Sequence, residues 1–483
     1  MTENDLPIEP SADGSITPPS PELQLAPTVN DGAATQPPDV VLPERSLVHK
    51  PRWPHPSFGW SLLWCLLFWI VTQLPGAFIV VLFVVGMFIL SPDTMKQVKE
   101  PDDLYNLDAM NIAFAIAFFI TEVLVVGFSW VIIRLVVGRD WMRQLAVRRP
   151  SLVHTLLALA SVPVLALMGD ISYELLRDSG LVPSISHANP LNLIYFWTAV
   201  FVVLGVAVLI ARLFAGSGWT RRLAGRPTRP ADILGAAAVL PVLVLCIFGA
   251  YVALSKGFLF PTPDLKDMKL SGMEEMGKIF TNWPLGFAVL VIGVGPGIGE
   301  ELWCRGFLGR GLVGNHGAVL GVLATSFLFG LIHGDPCQGT MAMIMGLWLH
   351  FVYLTTRSLW LPMLLHFLNN SLSVVLTRLP SVQLMEAKPQ NIPLEVYVSA
   401  LLLLGGVAYA LYQSRVRLAA KSPEQEFTWR PAFEGVEYPP ANSGTQVVHP
   451  SPSLAASALA GIGFLLFVLA FAAWLRQGLS YGG

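Results

Sequence analysis

The chain has 483 residues, of which 54% are hydrophobic and only 13% are charged, and its mean hydropathy is +0.60. This balance does not suit a water-exposed surface and indicates a protein whose solvent is lipid. The net charge of −2, with Lys and Arg in short clusters between apolar runs, gives no continuous basic patch and argues against nucleic acid as a partner.

Residues 1–57 are rich in Pro, Ser, Thr and Asp and contain no long apolar run. Such a segment cannot bury enough surface to offset the entropy lost on ordering, which predicts a disordered tail. The segment also lacks the basic start and apolar centre of a cleavable signal peptide, so membrane insertion is expected to depend on the first spanning helix.

Eleven apolar segments follow, each close to the roughly 20 residues that a spanning helix needs. They lie near 58–90, 112–137, 152–170, 193–214, 233–254, 283–312, 319–333, 341–356, 359–376, 394–412 and 454–475. The sequence therefore predicts an all-α, polytopic transmembrane bundle of about eleven helices. The first segment contains Pro75-Gly76, which favours a kink or a split into two pieces.

The chain divides into N-terminal helices (58–270), a helical core (271–380) and C-terminal helices joined by a loop (381–483). Basic residues cluster in alternate loops, near 50–52, 139–149, 221–229 and 415–421. The positive-inside rule places these loops and the N-terminal tail in the cytoplasm and the C-terminus outside. We expect an integral multi-pass protein of the cell (inner) membrane, surrounded by lipid.

An internal repeat relates residues 134–165 to residues 212–243 at an offset of about 78 positions. We interpret it as a duplicated helix pair, whose joining segment alternates Trp and Leu with Arg and is expected to lie along the cytoplasmic headgroups. The four cysteines, Cys65, Cys246, Cys304 and Cys337, fit neither a metal site nor a disulfide scaffold and are interpreted as unpaired thiols.

Ionisable residues gather between 300 and 370, inside or at the edges of apolar helices, where a charge is costly and usually functional. Glu301 and Arg305 are four residues apart on one helical face and can pair, which leaves Glu300 free to act as a base. The glycine-rich run just before them, residues 293–299, has no following Lys-Ser/Thr, so close helix packing explains it better than a phosphate loop.

Two further groups follow on the next apolar helices. Phe329 and His333 end one helix, and His366 and Asn370 share a face of another. A carboxylate with an imidazole can deprotonate a water, while a second imidazole with an amide can donate hydrogen bonds to an oxyanion. The alternative is structural: a Glu–Arg pair in a membrane helix is often a neutralised bridge, and a lone buried histidine is more often structural than catalytic.

These three groups, Glu300-Glu301 with Arg305, Phe329 with His333, and His366 with Asn370, resemble the motifs of the CPBP intramembrane proteases. That family includes CAAX-processing type II endopeptidases and bacteriocin-processing or self-immunity proteins. The resemblance covers residues 283–376 and makes 271–380 the catalytic core. It implies the catalytic residues Glu300, Glu301, His333, His366 and Asn370, with Arg305 and Phe329 supporting them. Glu300 and His333 would activate a water, while His366 and Asn370 would stabilise the tetrahedral intermediate.

The family is labelled as metalloproteases, although a glutamate-water mechanism is also argued for it. Glu300, His333 and His366 could bind one divalent ion such as zinc, but the HExxH helix that would signal zinc is absent from the sequence. The sequence is therefore compatible with a metal-dependent and with a metal-free mechanism.

The sequence thus predicts an intramembrane endopeptidase that cleaves peptide or protein substrates in or near the bilayer, by CAAX-type or bacteriocin-type processing. Two alternatives remain. One is a non-proteolytic scaffold or self-immunity protein of the same fold. The other is a proton-coupled transporter, which the repeat suggests and in which Glu300 and His333 would form a relay.

Overall fold

The computed structural model describes residues 57–95, 107–179, 190–215, 230–255, 279–378, 392–422, 429, 436–441 and 443–481. The expected disordered tail lies outside these residues, except for Ser57. The joining segment of the second repeat copy, 216–229, lies outside them as well.

Long helices make up most of the described chain, as its apolar segments predict. They are α1 Phe58–Leu90, α2 Asp108–Val136, α3 Leu152–Ser179, α4 Pro190–Ala215, α5 Pro230–Ser255, the helical run Leu285–Leu331 that contains α6 and α7, α8 Pro336–Thr356, α9 Trp360–Leu376, α10 Leu394–Gln413 and α11 Leu454–Tyr481. Two one-turn helices, Pro92–Met95 and Trp141–Gln144, lie in the loops.

The run Leu285–Leu331 is two helices because the chain reverses at Gly317. This glycine has φ 80° and ψ 169°, a backbone conformation that residues with a side chain rarely adopt. A Cβ on Gly321 would lie only 2.5 Å from the backbone of Val313, whereas eight residues of straight helix would separate them by about 12 Å. We therefore treat residues 285–316 as α6 and residues 318–331 as α7.

Seven of the helical runs are long and apolar enough to cross a membrane, and three shorter apolar helices accompany them among the described residues. Large apolar side chains such as Leu90 and Phe214 are exposed on the outer surface, which suits lipid contact. The predicted all-α polytopic bundle is confirmed. α1 runs through Pro75 without interruption, so a split into two separate pieces is wrong.

Two other elements differ from the sequence analysis. α8 begins at Pro336 instead of near 341, because the Asp335 carboxylate accepts a hydrogen bond from the Gln338 amide and caps the helix, with Pro336 in its first turn. A two-stranded antiparallel sheet, β1 Arg417–Ala420 with β2 Thr445–Val448, lies in the loop between α10 and α11. Four-residue strands carry too weak a periodic signal to be predicted.

Several loops meet at one end of the bundle, which we call the basic end and define as residues 137–151, 357–359 and 414–421. The Tyr353 hydroxyl donates to the Leu145 carbonyl at 2.9 Å, and the Leu359 amide donates to the Ala146 carbonyl at 3.0 Å. The Val416 amide donates to the Thr355 carbonyl at 2.8 Å. Helices α2, α8 and α10 therefore finish at this end, and α3 and α9 start there.

The core between α1, α2 and α6 is built on Trp303, which is fully buried. Its ring stacks on Phe68 of α1 with centroids 4.7 Å apart and contacts Phe128 of α2 at 5.5 Å. Buried aromatic pairs of this kind restrict the rotation of a helix about its axis. Trp303 thus sets the direction in which the neighbouring Glu300 and Glu301 point.

Candidate active site

Glycines allow α6 to pack closely between two other helices. On one side, Cβ atoms on Gly293 and Gly297 would meet the α9 residues Ser371 and Phe367 at 2.5 and 3.1 Å. On the other side, Cβ atoms on Gly295 and Gly299 would meet the α2 residues Glu122 and Val125 at 2.6 and 2.5 Å. The prediction that the glycine run serves close helix packing is confirmed. This approach brings Glu300 and Glu301 against α9.

A buried network joins α6 to α9 next to this crossing. Nη1 of Arg305 lies 2.6 Å from Oε1 of Glu301, and both side chains are almost completely buried. The same Oε1 lies 2.9 Å from Nδ1 of His366. The Arg305 guanidinium also donates to the Gly346 carbonyl of α8 and lies 4.5 Å above the Phe329 ring. The predicted Glu301–Arg305 pair is confirmed, whereas its link to His366 was not predicted.

Glu300 stands apart from that network, as the helical spacing predicts. Its Oε2 atom is buried and has no hydrogen-bond partner among the described residues. Nε2 of His366 lies 4.0 Å from this oxygen. This distance is too long for a direct hydrogen bond and is short enough for one water to bridge the two atoms.

His333 follows the end of α7 and lines the same cavity as His366. Its Nδ1 is 2.7 Å from the Phe329 carbonyl, so the ring is held by its own helix end and Nε2 remains available. The Phe329 ring meets both imidazoles edge-on, with centroids 5.0 Å from His333 and 5.8 Å from His366. Phe329 therefore separates and orients the two histidines.

The two helices that carry Glu300 and His333 bring them to the same depth. Glu300 precedes the reversal at Gly317 by 17 residues, and His333 follows it by 16. At 1.5 Å per residue, each lies about 25 Å from the reversal. A hairpin of spans that end at the same membrane surfaces would set the two residues far apart. The two residues instead lie at the same depth, because α6 is long whereas α7 is short and ends inside the bundle.

His333, His366 and Asn370 line a cavity of about 350 Å³. Nδ2 of Asn370 donates to the Ile292 carbonyl at 3.0 Å, and the amide has a second N–H beyond that bond. The cavity continues along α9 to Thr377 and Arg378, at the helix end opposite the basic end. The residues that line it from α3, α8 and α9 lie toward the ends of these helices that are opposite the basic end, and Glu300 is not among the lining residues.

Glu122 of α2 is a further intramembrane carboxyl next to this site, and it is not among the residues predicted from the sequence. Its side chain packs against Gly295, and its Oε2 atom is buried without a hydrogen-bond partner among the described residues. The available signal was a single acid near the middle of an otherwise apolar helix.

The described side chains do not fit a metal site. No three His, Cys, Asp or Glu side chains in the described part of the chain come together in a way that could hold an ion. Glu300, His333 and His366, the ligands considered from the sequence, do not form such a set. The chemistry proposed below therefore uses only groups of the chain itself.

Comparison with known proteins adds one finding. Residues 282–372 match the Rce1-like family, described as type II CAAX prenyl endopeptidase Rce1-like. All seven residues singled out from the sequence, from Glu300 to Asn370, fall within the matched range. No curated protein and no solved structure matches the chain. Through residues 282–372 the chain carries a region of the Rce1-like CAAX prenyl endopeptidase family, consistent with a CPBP-family protein.

Proposed function

We propose that this chain is an intramembrane endopeptidase that hydrolyses peptide bonds of membrane-associated substrates, in CAAX-type processing or the processing of other peptides. The family match supports a protease of this class, and the apolar helices support a membrane location. The observation that carries the proposal is the buried, unpartnered Oε2 of Glu300, 4.0 Å from Nε2 of His366.

Glu300 is the general base in this proposal. A water between its carboxylate and the histidines loses a proton to Glu300, and the water oxygen attacks the carbonyl carbon of the scissile peptide. His333, which lines the cavity together with His366, helps to hold that water. When the tetrahedral intermediate collapses, Glu300 returns the proton to the leaving amine and the C–N bond breaks.

His366 and Asn370 stabilise the oxyanion. Oε1 of Glu301 lies 2.9 Å from Nδ1 of His366 and holds the ring, so that Nε2, when it carries a proton, can donate it in a hydrogen bond to the oxyanion. Asn370 donates its second amide hydrogen from the cavity wall. Arg305 and Phe329 are positioning residues, because Arg305 neutralises Glu301 and Phe329 holds both imidazoles.

The direct test is cleavage of membrane-bound peptides by the detergent-purified protein. Wild type should cleave, and Glu300→Gln should lose about 10²-fold to 10⁴-fold in rate with unchanged thermal unfolding, because only the base is removed. His333→Ala should also lose activity. Glu395→Gln is a matched control, since Glu395 is exposed at the start of α10 and lies outside the site.

Other outcomes select the alternatives. A well-folded wild type that cleaves no substrate would favour a scaffold or immunity protein, and pH-dependent flux that Glu300→Gln abolishes would favour a transporter. A chelator arm separates the protease subtypes. Activity lost with chelator and restored by zinc would identify a metalloprotease, whereas activity unaffected by chelator would fit the glutamate mechanism.

A further inference from the structure

We propose that Trp197 of α4 is a positioning residue for His333, because it holds the turn that follows this histidine. This role rests on the proposed protease function, in which His333 helps to hold the attacking water. Trp197 lies outside the matched residues 282–372, in the N-terminal part of the chain. The helix pair α4–α5 thereby supports the catalytic core from outside the matched region.

The first observation is a direct contact between α4 and the turn after α7. Nε1 of Trp197 donates to the Gly334 carbonyl at 3.1 Å. Gly334 directly follows His333 and has a φ of 75°, so the chain changes direction there before α8 begins. The Asp335 amide donates to the His333 carbonyl at 2.9 Å, which joins the two sides of the turn. The hydrogen bond from Trp197 therefore restricts the backbone that sets where the His333 ring lies.

The second observation is that α5 holds Trp197 in place. The Trp197 ring contacts Phe196 edge-on with centroids 5.4 Å apart, and Phe196 contacts Tyr251 of α5 in the same way at 5.8 Å. Such edge-on aromatic pairs have a preferred geometry and limit the motion of each ring. Phe327 of α7 packs against the same aromatic cluster. The helix pair α4–α5 thus contacts α7 before His333 and the turn directly after it.

The third observation is the internal repeat. Its offset of 78 residues extends back into α2 and α4, where it aligns Phe119 with Trp197 and places a phenylalanine before each of them. In the first copy, the Phe119 ring lies 6.3 Å from the ring of Phe287 on α6, the helix that carries Glu300. Each copy therefore supports one helix of the α6–α7 hairpin through the same repeat position. Phenylalanine has no N–H, so of these two residues only Trp197 can hydrogen-bond to a turn.

A substrate contact is the alternative role for this indole. Trp197 and Gly334 line a shallow groove whose other lining residues are mostly apolar: Ile194, Thr198, Phe201 and Val202. In hydrocarbon little water competes for the indole N–H, so its bond to the Gly334 carbonyl persists. The aromatic contacts behind Trp197 and the carbonyl in front of it favour the positioning role. The two roles differ in kinetics, because loss of a substrate contact raises KM, whereas a displaced His333 lowers kcat.

The experiment compares Trp197→Phe with wild type in the cleavage of membrane-bound peptides by the detergent-purified protein. Phenylalanine keeps an aromatic ring against Phe196 and removes the N–H donor. We expect kcat to fall about tenfold with KM within about twofold of wild type, because a small displacement of His333 misplaces the water and leaves the substrate contacts unchanged. Trp130→Phe is the matched control, since Trp130 is an exposed tryptophan of α2, and it should keep the wild-type kcat.

Hydrogen–deuterium exchange, followed by mass spectrometry, measures the same contact without catalysis. Peptides that cover residues 331–335 should exchange at least about threefold faster in Trp197→Phe than in wild type, because the turn opens more often when the indole donor is lost. Peptides from α9 should exchange at the wild-type rate in both proteins.

The outcomes separate this proposal from the protease assignment. A wild-type kcat in Trp197→Phe, or unchanged exchange at the turn, overturns the positioning role while the protease stands. A raised KM with unchanged kcat makes Trp197 a substrate contact, and faster exchange throughout α4, α5 and α9 makes it a residue of general stability; either result also overturns the positioning role. If wild type cleaves none of the peptides, the protease assignment itself fails, and the exchange at residues 331–335 alone decides whether Trp197 holds the turn.

Discussion

At the scale of single residues, the shared Oε1 atom of Glu301 has two roles. It pairs with Arg305 at 2.6 Å and receives Nδ1 of His366 at 2.9 Å, in surroundings from which solvent is almost excluded. A buried charge is tolerated only when it is neutralised, so the pair is needed for folding whether or not the site is catalytic. The same pair fixes His366, which couples the stability of the bundle to the geometry of the site.

Arg305→Met should destabilise the protein by about 3 kcal/mol or more, because it leaves the Glu301 carboxylate buried without a counter-charge. The measurement is thermal or denaturant unfolding in detergent micelles. The double variant Glu301→Gln/Arg305→Met should be more stable than Arg305→Met alone, since it contains no unpaired charge. Equal stability of the two variants would mean that Glu301 is already neutral in the folded protein.

The sequence could predict the local part of this network and not its tertiary part. The spacing of four residues is enough to pair Glu301 with Arg305 and to set His366 and Asn370 on one face. The contact between Glu301 and His366 depends on how α6 crosses α9, which no spacing reports. Glu122 differs from that contact, because a single acid in an apolar helix was a signal in the sequence, although its place against Gly295 follows only from the packing of α2 on α6.

At the scale of elements, α6 is the helix that builds the site. Its segment Gly295–Glu301 is α-helical and lies between two π-helical segments, Val289–Val294 and Leu302–Gly309. Such wide turns occur often at functional sites, and no pattern in the sequence predicts them. The glycine run of α6 could be recognised in the sequence, whereas the two helices that pack against it, α2 and α9, could not be predicted.

Gly299→Ala should destabilise the protein by about 1 to 3 kcal/mol, because the new methyl group would overlap α2. The Cβ position lies 2.5 Å from Cγ1 of Val125 and 2.9 Å from the Val126 backbone nitrogen, and a backbone atom cannot rotate away. Thermal unfolding of the purified variant measures the effect.

Gly286→Ala on the same helix is the matched control. Nothing lies within 4 Å of its Cβ position, and alanine favours helix over glycine by up to about 1 kcal/mol. Its stability should be unchanged or raised. If both variants unfold at the wild-type temperature, α6 and α2 are farther apart in the membrane than their contacts indicate.

At the scale of the whole molecule, the basic end and the cavity lie at opposite ends of the same helices. α8 ends next to the loop of Leu145, whereas its other end contributes Gln338 to the cavity. α9 starts at the basic end and finishes beside Arg378. The number of helices and their order could be predicted from the sequence, because each one is a long apolar run. The end of the bundle at which the cavity opens could not be predicted from the sequence, since it depends on α7 ending inside the bundle.

Arg139→Cys and Thr377→Cys should therefore react with a membrane-impermeant maleimide from opposite sides of the membrane. Both positions are exposed, the first at the basic end and the second at the cavity. The background is Cys246→Ser, because Cys246 is exposed while Cys65, Cys304 and Cys337 are free but buried thiols. The background protein alone should remain unlabelled in both right-side-out and inverted vesicles.

The positive-inside rule adds a direction to this expectation, with position 139 reacting from the cytoplasm and position 377 from outside. Reaction of both positions from one side would contradict the arrangement of α9 across the bilayer. If the two positions react from opposite sides, but position 139 reacts from outside and position 377 from the cytoplasm, the fold stands and its orientation in the membrane is inverted. The cavity would then open toward the cytoplasm, and a substrate would approach from there.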